Sequence, residues 1–380
     1  MKRYALWIVA LLATSSVMDA QGFFSPAVNS PDISKDGAVT FTVKAAEADT
    51  VRLIIDTRVD TLMQRQRNGS WSITLRELEP DLYMYHYMVD GMKVLDNDNA
   101  HVVRDVKNVM NTFVLDPGGD CPMAVHDVPH GEVRAVWYDS PSLGMKRRMM
   151  VYLPAGYDQG RQKYPVLYLL HGTGGDETVW LEQGRAAQIL DNLIAGGQAE
   201  QMIVVMPNGN VDEQAAPGIN ADNNVQPTFG HKNWMDGTFE QCFDDILNWV
   251  DNNLRTRRVK RYRAIAGLSM GGYHSLYISA NRPEDFAYVG LFSPAISRMD
   301  KGKSKIYDDL ENKLITQFQG RPRLYWIGIG KDDFLYRDNA AFRELLDKNR
   351  QRYTYHESGA GHEWANWRDY LVLFTQLLFK

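Results

Sequence analysis

Ala264-Ile265-Ala266-Gly267-Leu268-Ser269-Met270-Gly271-Gly272-Tyr273 is the stretch from which the rest of the chain is read. A short apolar run ends in Gly-x-Ser-x-Gly, and an amphipathic pattern follows it, the strand–turn–helix setting that this motif requires. Side chains in place of Gly267 or Gly271 would clash in so sharp a turn. The turn holds Ser269 in a strained conformation with its hydroxyl clear of the sheet, above a helix N-terminus. There the free amides and the helix dipole favour developing negative charge.

A serine hydroxyl is a poor nucleophile at neutral pH and needs a base within hydrogen-bond reach. The α/β-hydrolase order is serine, acid, histidine, each at the C-terminal end of a strand. Three histidines follow Ser269. His274 falls within the helix after the turn, and His356 within the alternating run Arg352–Glu357. His362 follows Gly359-Ala360-Gly361, past the last strand and before the last helix, so it is the expected base. For the acid, Asp332, Asp333 and Asp338 follow the strand candidate Arg323–Ile329. Asp333 is preferred because Phe334-Leu335 would anchor its loop into the core. Asp338 precedes the helix candidate Asn339–Asn349 and reads as its cap. The backbone amides of Thr173, in His171-Gly172-Thr173-Gly174-Gly175, and of Met270 are expected to bind an oxyanion. His171 is expected to brace that loop.

Outward from this centre, apolar strands alternate with amphipathic helices. The strand candidates are Pro165–Leu170, Met202–Met206, Tyr262–Ala266, Ala287–Phe292, Arg323–Ile329 and Arg352–Glu357. The helix candidates are Leu181–Ala195, Phe239–Asn253, Gly271–Ala280, Asn339–Asn349 and Asn366–Phe379. Val133–Ser140 and Arg147–Leu153 read as an opening hairpin. Continuous apolar strands suit a mostly parallel sheet covered on both faces, the three-layer α/β sandwich. The long loop Asn208–Gly237 is expected to shape a substrate pocket, with Phe229, Trp234 and Trp364 as aromatic walls or as packing.

The first third of the chain has a different period. Val51, Leu53 and Ile55 alternate with more polar neighbours, as do Tyr83, Tyr85, Tyr87 and Val89, with turn signals at Asn68-Gly69 and Asp90-Gly91. This predicts an all-β, immunoglobulin-like sandwich over 24–116, a linker over 117–131 and the α/β domain over 132–380. Residues 1–20 read as an export signal: Lys2 and Arg3, an apolar stretch too short to span a membrane, then Ala20 at the cleavage point. The mature chain is expected in the periplasm or outside the cell, with no integral membrane span.

The 380 residues, 44% hydrophobic and 23% charged, allow two domains with a sizeable core. A net charge of -5 argues against a nucleic-acid partner. The basic run Arg255–Arg263 reads as a solvated helix end. Cys121 and Cys242, the only cysteines, permit a disulfide in an oxidising compartment but equally suit two separate thiols. His126, Asp127 and His130 lack the supporting ligands of a metal site. No metal or cofactor is expected.

On these motifs the part from about His130 to Lys380 resembles carbohydrate esterase family 1, which includes feruloyl and acetyl xylan esterases. The similar segments are Tyr168–Gly175, Met206-Pro207-Asn208-Gly209, Gly267–Gly272, Gly330–Leu335 and Gly361-His362-Glu363-Trp364. The resemblance implies nucleophile, acid and base at Ser269, Asp333 and His362. It also implies an ester-decorated polysaccharide or oligosaccharide as substrate, with feruloyl groups on arabinoxylan foremost. Asn68-Gly69-Ser70-Trp71, Tyr83–Tyr87 and Val89-Asp90-Gly91 look like the early-set sandwich called a family 48 carbohydrate-binding module, which implies either a glycan-binding face or a packing partner. An acetyl xylan esterase, an acyltransferase with the same triad and a non-catalytic glycan-binding protein are the competing functions.

Overall fold

The computed structural model describes residues 29–221, 227–228, 233, 235–296 and 304–380. The segment expected to direct export, together with Phe229 and Trp234, lies outside them. Ten strands come first: β1 (Asp32–Ile33), β2 (Val39–Lys44), β3 (Val51–Ile55), β4 (Val59–Leu62), β5 (Gln64–Arg65), β6 (Ser70–Leu75), β7 (Asp81–Val89), β8 (Met92–Val94), β9 (Val102–Asp105) and β10 (Asn108–Leu115). They form two antiparallel sheets, ordered β1-β2-β6-β5 and β4-β3-β7-β10-β9, with β8 paired to β7. The period of two does its work here. Val51, Leu53 and Ile55 are fully buried, and they meet Phe41, Tyr85, Tyr87 and Phe113 between the sheets.

The second part holds β11 (Glu132–Ser140), β12 (Met145–Leu153), β13 (Val166–Leu170), β14 (Ile203–Pro207), β15 (Arg263–Leu268), β16 (Tyr288–Phe292), β17 (Leu324–Gly330) and β18 (Thr354–Ser358). They make one sheet in the order β11-β12-β14-β13-β15-β16-β17-β18, parallel from β14 onward. Among the described residues seven α-helices cover it: α1 (Val179–Glu182), α2 (Ala186–Ala195), α3 (Thr238–Asn253), α4 (Met270–Asn281), α5 (Leu310–Gln319), α6 (Tyr336–Lys348) and α7 (Trp364–Thr375). Alternate strand residues serve opposite layers. Ile265, Val289 and Ile327 face α3 to α6, whereas Ala264, Ala266 and Phe292 face α1, α2 and α7. This is the α/β-hydrolase architecture.

Four local expectations are corrected. The helix expected over Leu181–Ala195 is broken, because Gly184 packs so tightly on Trp180 that a Cβ would lie 2.5 Å from its ring, and Arg185 turns at φ 51°. Helix α5 forms where no helix was expected, although Leu310, Leu314 and Phe318 at four-residue spacing, ended by Gly320, carry its signal. Helix α6 begins at Tyr336, so Asp338 lies in its first turn rather than at its cap. The run from Arg255 starts beyond the end of α3 and is not simply solvated: Arg255 lies 3.8 Å over the Tyr157 ring, and Arg263 pairs with Asp251. Cys121 and Cys242 are separate buried thiols.

The sandwich is locked onto the α/β part. The segment after β10 is strapped to α2, whose Asn192 donates to the carbonyls of Pro122 and Ala124, both at 3.0 Å. Asp81, at the start of β7, accepts two parallel 2.9 Å hydrogen bonds from Arg368 of α7. The Arg368 guanidinium is buried and also donates to the carbonyls of Leu82 and Gln183, at 2.8 and 3.0 Å. A buried cation deprived of its carboxylate is expensive. Asp81→Ala is therefore expected to lower unfolding free energy by about 3–5 kcal/mol, measured by urea denaturation. A loss under about 1 kcal/mol would contradict this account of the pair.

Candidate active site

Ser269 occupies the single residue between β15 and α4, at φ 51° and ψ -114°. Such a backbone is strained for a non-glycine residue and persists only where its surroundings impose it. Here they do. The Ser269 N–H donates to the Phe292 carbonyl at 2.9 Å, and the Ser269 carbonyl accepts from Tyr273 and Ala295. A Cβ at Gly267 would lie 2.5 Å from Gly271, and one at Gly271 would strike the Leu170 carbonyl. The two glycines thus let strand, helix and the end of β13 pack backbone to backbone.

The acid and base loops leave the ends of β17 and β18. His362 Nδ1 donates to Asp333 Oδ2 at 2.8 Å, and the other carboxylate oxygen accepts from the Leu335 N–H at 2.9 Å. Asp333 is fully enclosed and His362 partly so, with side-chain exposures of 0% and 16%. Since an ionised carboxylate can only accept, Nδ1 carries the imidazole proton and Nε2 is left for the reaction. The histidine loop is pinned by Asn366, whose amide donates to the carbonyls of Gly359 and Gly361, at 3.0 and 2.8 Å. Asp332 is exposed and engages Ala360 only through its backbone N–H. Phe334 does not anchor the loop in the core as expected. It is 75% exposed, and its ring lies 4.7 Å from that of His362, forming an outer wall beside the imidazole.

The other two histidines that follow Ser269 lie elsewhere. His274 is buried and hydrogen-bonded to Glu240 at 2.8 Å, and His356 stacks on Trp326. In the linker, His126 pairs with Asp116 and His130 with Asp191, so the two do not share a site. Trp364 is packed between Trp180 and Trp367 at ring distances of 5.4 and 5.3 Å.

The glycine loop after β13 lies against the serine: a Cβ on Gly172 would sit 3.3 Å from that of Ser269. This puts the Thr173 stretch beside Met270, the first residue of α4. The base of the long loop is held by buried Arg147, which donates to the carbonyls of Asn208 and Asn210 at 2.8 and 2.7 Å.

With this geometry in view, comparison with known proteins is direct. A family model described as "Putative esterase" matches residues 140–375. The chain belongs to this esterase family. It is 29% identical over 93% of its length to an "Endo-1,4-beta-xylanase/feruloyl esterase" of Xylanibacter ruminicola, covering 46% of that protein. It is 30% identical over 64% of its length to an esterase of Mycobacterium tuberculosis, covering 50% of it. The chain thus spans about half the length of the curated relatives it matches. Among solved structures it resembles a ferulic acid esterase of Anaeromyces mucronatus, with TM-score 0.56 and 27% identity over 68% of this chain and 95% of that one. The enterobactin esterase of Shigella flexneri shares the fold over 89% of this chain and 92% of its own, with TM-score 0.61 and 16% identity.

His171 does the bracing expected of it. Its Nδ1–H donates to the Gly172 carbonyl at 2.7 Å, and its Nε2 accepts from the Gly209 N–H at 2.7 Å. An imidazole that both donates and accepts is neutral, and burial pushes its pKa down to about 4 from 6.5. Between those values the unfolded chain holds a proton that the folded protein does not, so stability falls as pH drops from 6.5 toward 4 and is flat above. Replacing His171 by Gln should flatten the pH dependence of the denaturation midpoint in that window. Identical slopes in both proteins would contradict this assignment.

Proposed function

We propose that the protein is a serine carboxylic-ester hydrolase that removes feruloyl groups from plant cell-wall polysaccharide such as arabinoxylan. The observation that carries the reaction type is the buried 2.8 Å Asp333–His362 pair, placed on the same sheet edge as a serine at φ 51°. The names of the relatives in Xylanibacter and Anaeromyces support the acyl group.

In this scheme the Ser269 hydroxyl attacks the ester carbonyl while His362 Nε2 takes its proton. The new oxyanion is met by the Met270 and Thr173 amides, donors fixed before the charge appears and so needing no reorganisation. Collapse breaks the ester C–O bond. The departing alkoxide takes the proton from His362 and leaves as alcohol, and the acyl group stays on Ser269. Water then attacks the acyl-enzyme, giving its proton to the same nitrogen, which returns it to Ser269 as the free acid departs. Asp333 remains ionised throughout, fixing the tautomer and stabilising the transient imidazolium. A polymeric substrate is met outside the cytoplasm, consistent with the export segment read over residues 1–20.

Purified protein offered methyl ferulate, acetylated xylan and a short p-nitrophenyl ester should release ferulate. Preference for acetyl groups would redirect the substrate, and turnover that requires an added sugar alcohol would indicate transfer. Ser269→Ala and Asp333→Asn are each expected to lower kcat by about ten-thousand-fold. Retention of most activity by Ser269→Ala would refute the mechanism.

A further inference from the structure

The Gly172–Gly175 stretch that lies against Ser269 is a β-turn. The Gly175 N–H donates to the Gly172 carbonyl at 3.1 Å, and Gly174 stands third in the turn at φ 77°, a place that favours glycine. The two ends of the turn are held from within the α/β part. His171 donates to the Gly172 carbonyl, and the Asn210 amide donates to the Gly175 carbonyl at 2.9 Å. The tip of the turn is met from outside, by the sandwich hairpin that joins β9 to β10.

Two residues of that hairpin make the contact. Arg104 donates to the Val106 carbonyl of its own hairpin at 2.6 Å and to the Gly174 carbonyl at 3.3 Å, and it pairs with Asp176 just past the turn. The Asp176 side chain is enclosed, and its other oxygen accepts from the Thr178 N–H and hydroxyl at 2.9 and 2.8 Å. One guanidinium thus ties the hairpin to the turn and to the segment that follows it. Val106 packs on Gly174 so closely that a Cβ there would lie 2.7 and 2.8 Å from its two methyl groups. Val106 is also the first of the two residues between β9 and β10, at φ 52°. Glycine, asparagine or aspartate ordinarily fills such a hairpin position, and a β-branched residue there is strained. Strain of this kind persists where the surroundings impose it, and here the strained residue presents its isopropyl group to the serine's neighbouring turn.

We propose that Arg104 and Val106 of the sandwich are positioning residues for the oxyanion loop, holding the Gly172–Gly175 turn in place beside Ser269. The role rests on the proposed hydrolase function, in which that turn carries an oxyanion donor. Such donors lower a barrier only if they are fixed before the charge appears. A turn with glycine at three of its four positions has little stiffness of its own. A displacement of about 1 Å is enough to cost on the order of hundredfold in rate. The hairpin supplies the missing stiffness by a hydrogen bond, an ion pair and an apolar stop, without touching the substrate. The sandwich therefore contributes to turnover even of esters that contain no sugar.

The test uses the full chain and a sugar-free ester, whichever of methyl ferulate and a short p-nitrophenyl ester the wild-type protein turns over faster. Arg104→Ala and Val106→Gly should each lower kcat about tenfold with KM within about twofold, because the loss falls on the transition state. Val106→Gly separates positioning from simple support. It relieves the strained turn, so its denaturation midpoint should stay close to that of the wild type while kcat falls. It also decides the matter if Arg104→Ala, which strips Asp176 of its cation, fails to fold. A trifluoromethyl ketone analogue of the substrate adds the second readout, since Ser269 adds to its carbonyl and leaves an oxyanion in the same place. Its affinity should fall about tenfold in Val106→Gly, in step with kcat. Wild-type kcat and ketone affinity in Val106→Gly, or a change confined to KM, would overturn the positioning role while leaving the esterase intact. A wild-type protein that cleaves no ester and binds no ketone would instead overturn the hydrolase function, and the positioning role with it.

Discussion

The constraint on which the rest depends is the backbone-to-backbone packing around Ser269. A residue at φ 51° and ψ -114° between strand and helix is costly, and it survives only because Gly267 and Gly271 leave no Cβ between β15, α4 and the Leu170 carbonyl. That close approach also fixes the Gly172–Thr173 turn against the serine. Strain, helix N-terminus and neighbouring amides are then a single construction. Disturbing either glycine would displace all three at once.

Around that centre the sheet acts as a positioning device. Strands β15 to β18 are consecutive neighbours and run parallel, so the loops that leave their ends emerge on one edge. Ser269, Asp333 and His362 are separated by dozens of residues in the chain, and the parallel register is what gives them a common edge. The sandwich adds a second layer of support. Arg368 on α7 reaches Asp81, and Arg58 and Thr57 reach Glu363, so the helix that follows His362 is tied to a separate sheet. The N-terminal part is in this sense built into the esterase edge.

Much of the fold was legible because its signals are local. A continuous apolar strand, the Gly-x-Ser-x-Gly turn and a histidine after a flexible tripeptide each declare themselves within ten residues. Asp333 was separable from Asp332 only through spacing from the strand, and the reason first given, burial of Phe334, is not the one seen. The enclosed carboxylate instead takes the Leu335 N–H and the imidazole. The break before α2 went unread because it depends on Gly184 touching Trp180, a contact no pattern encodes. The docking of the sandwich onto α7 had no local signature at all. Thr57 and Arg58 look like ordinary surface residues until they are seen to reach Glu363.

The central claim is that Ser269, activated through His362, is the nucleophile. The most direct measurement is covalent trapping: protein treated with a fluorophosphonate ester, then intact mass and peptide mapping. The account predicts one adduct per chain, on the peptide containing Ser269, and almost none when His362 is replaced by Ala. An adduct on a different residue, or labelling of Ser269 that is indifferent to loss of the imidazole, would contradict it.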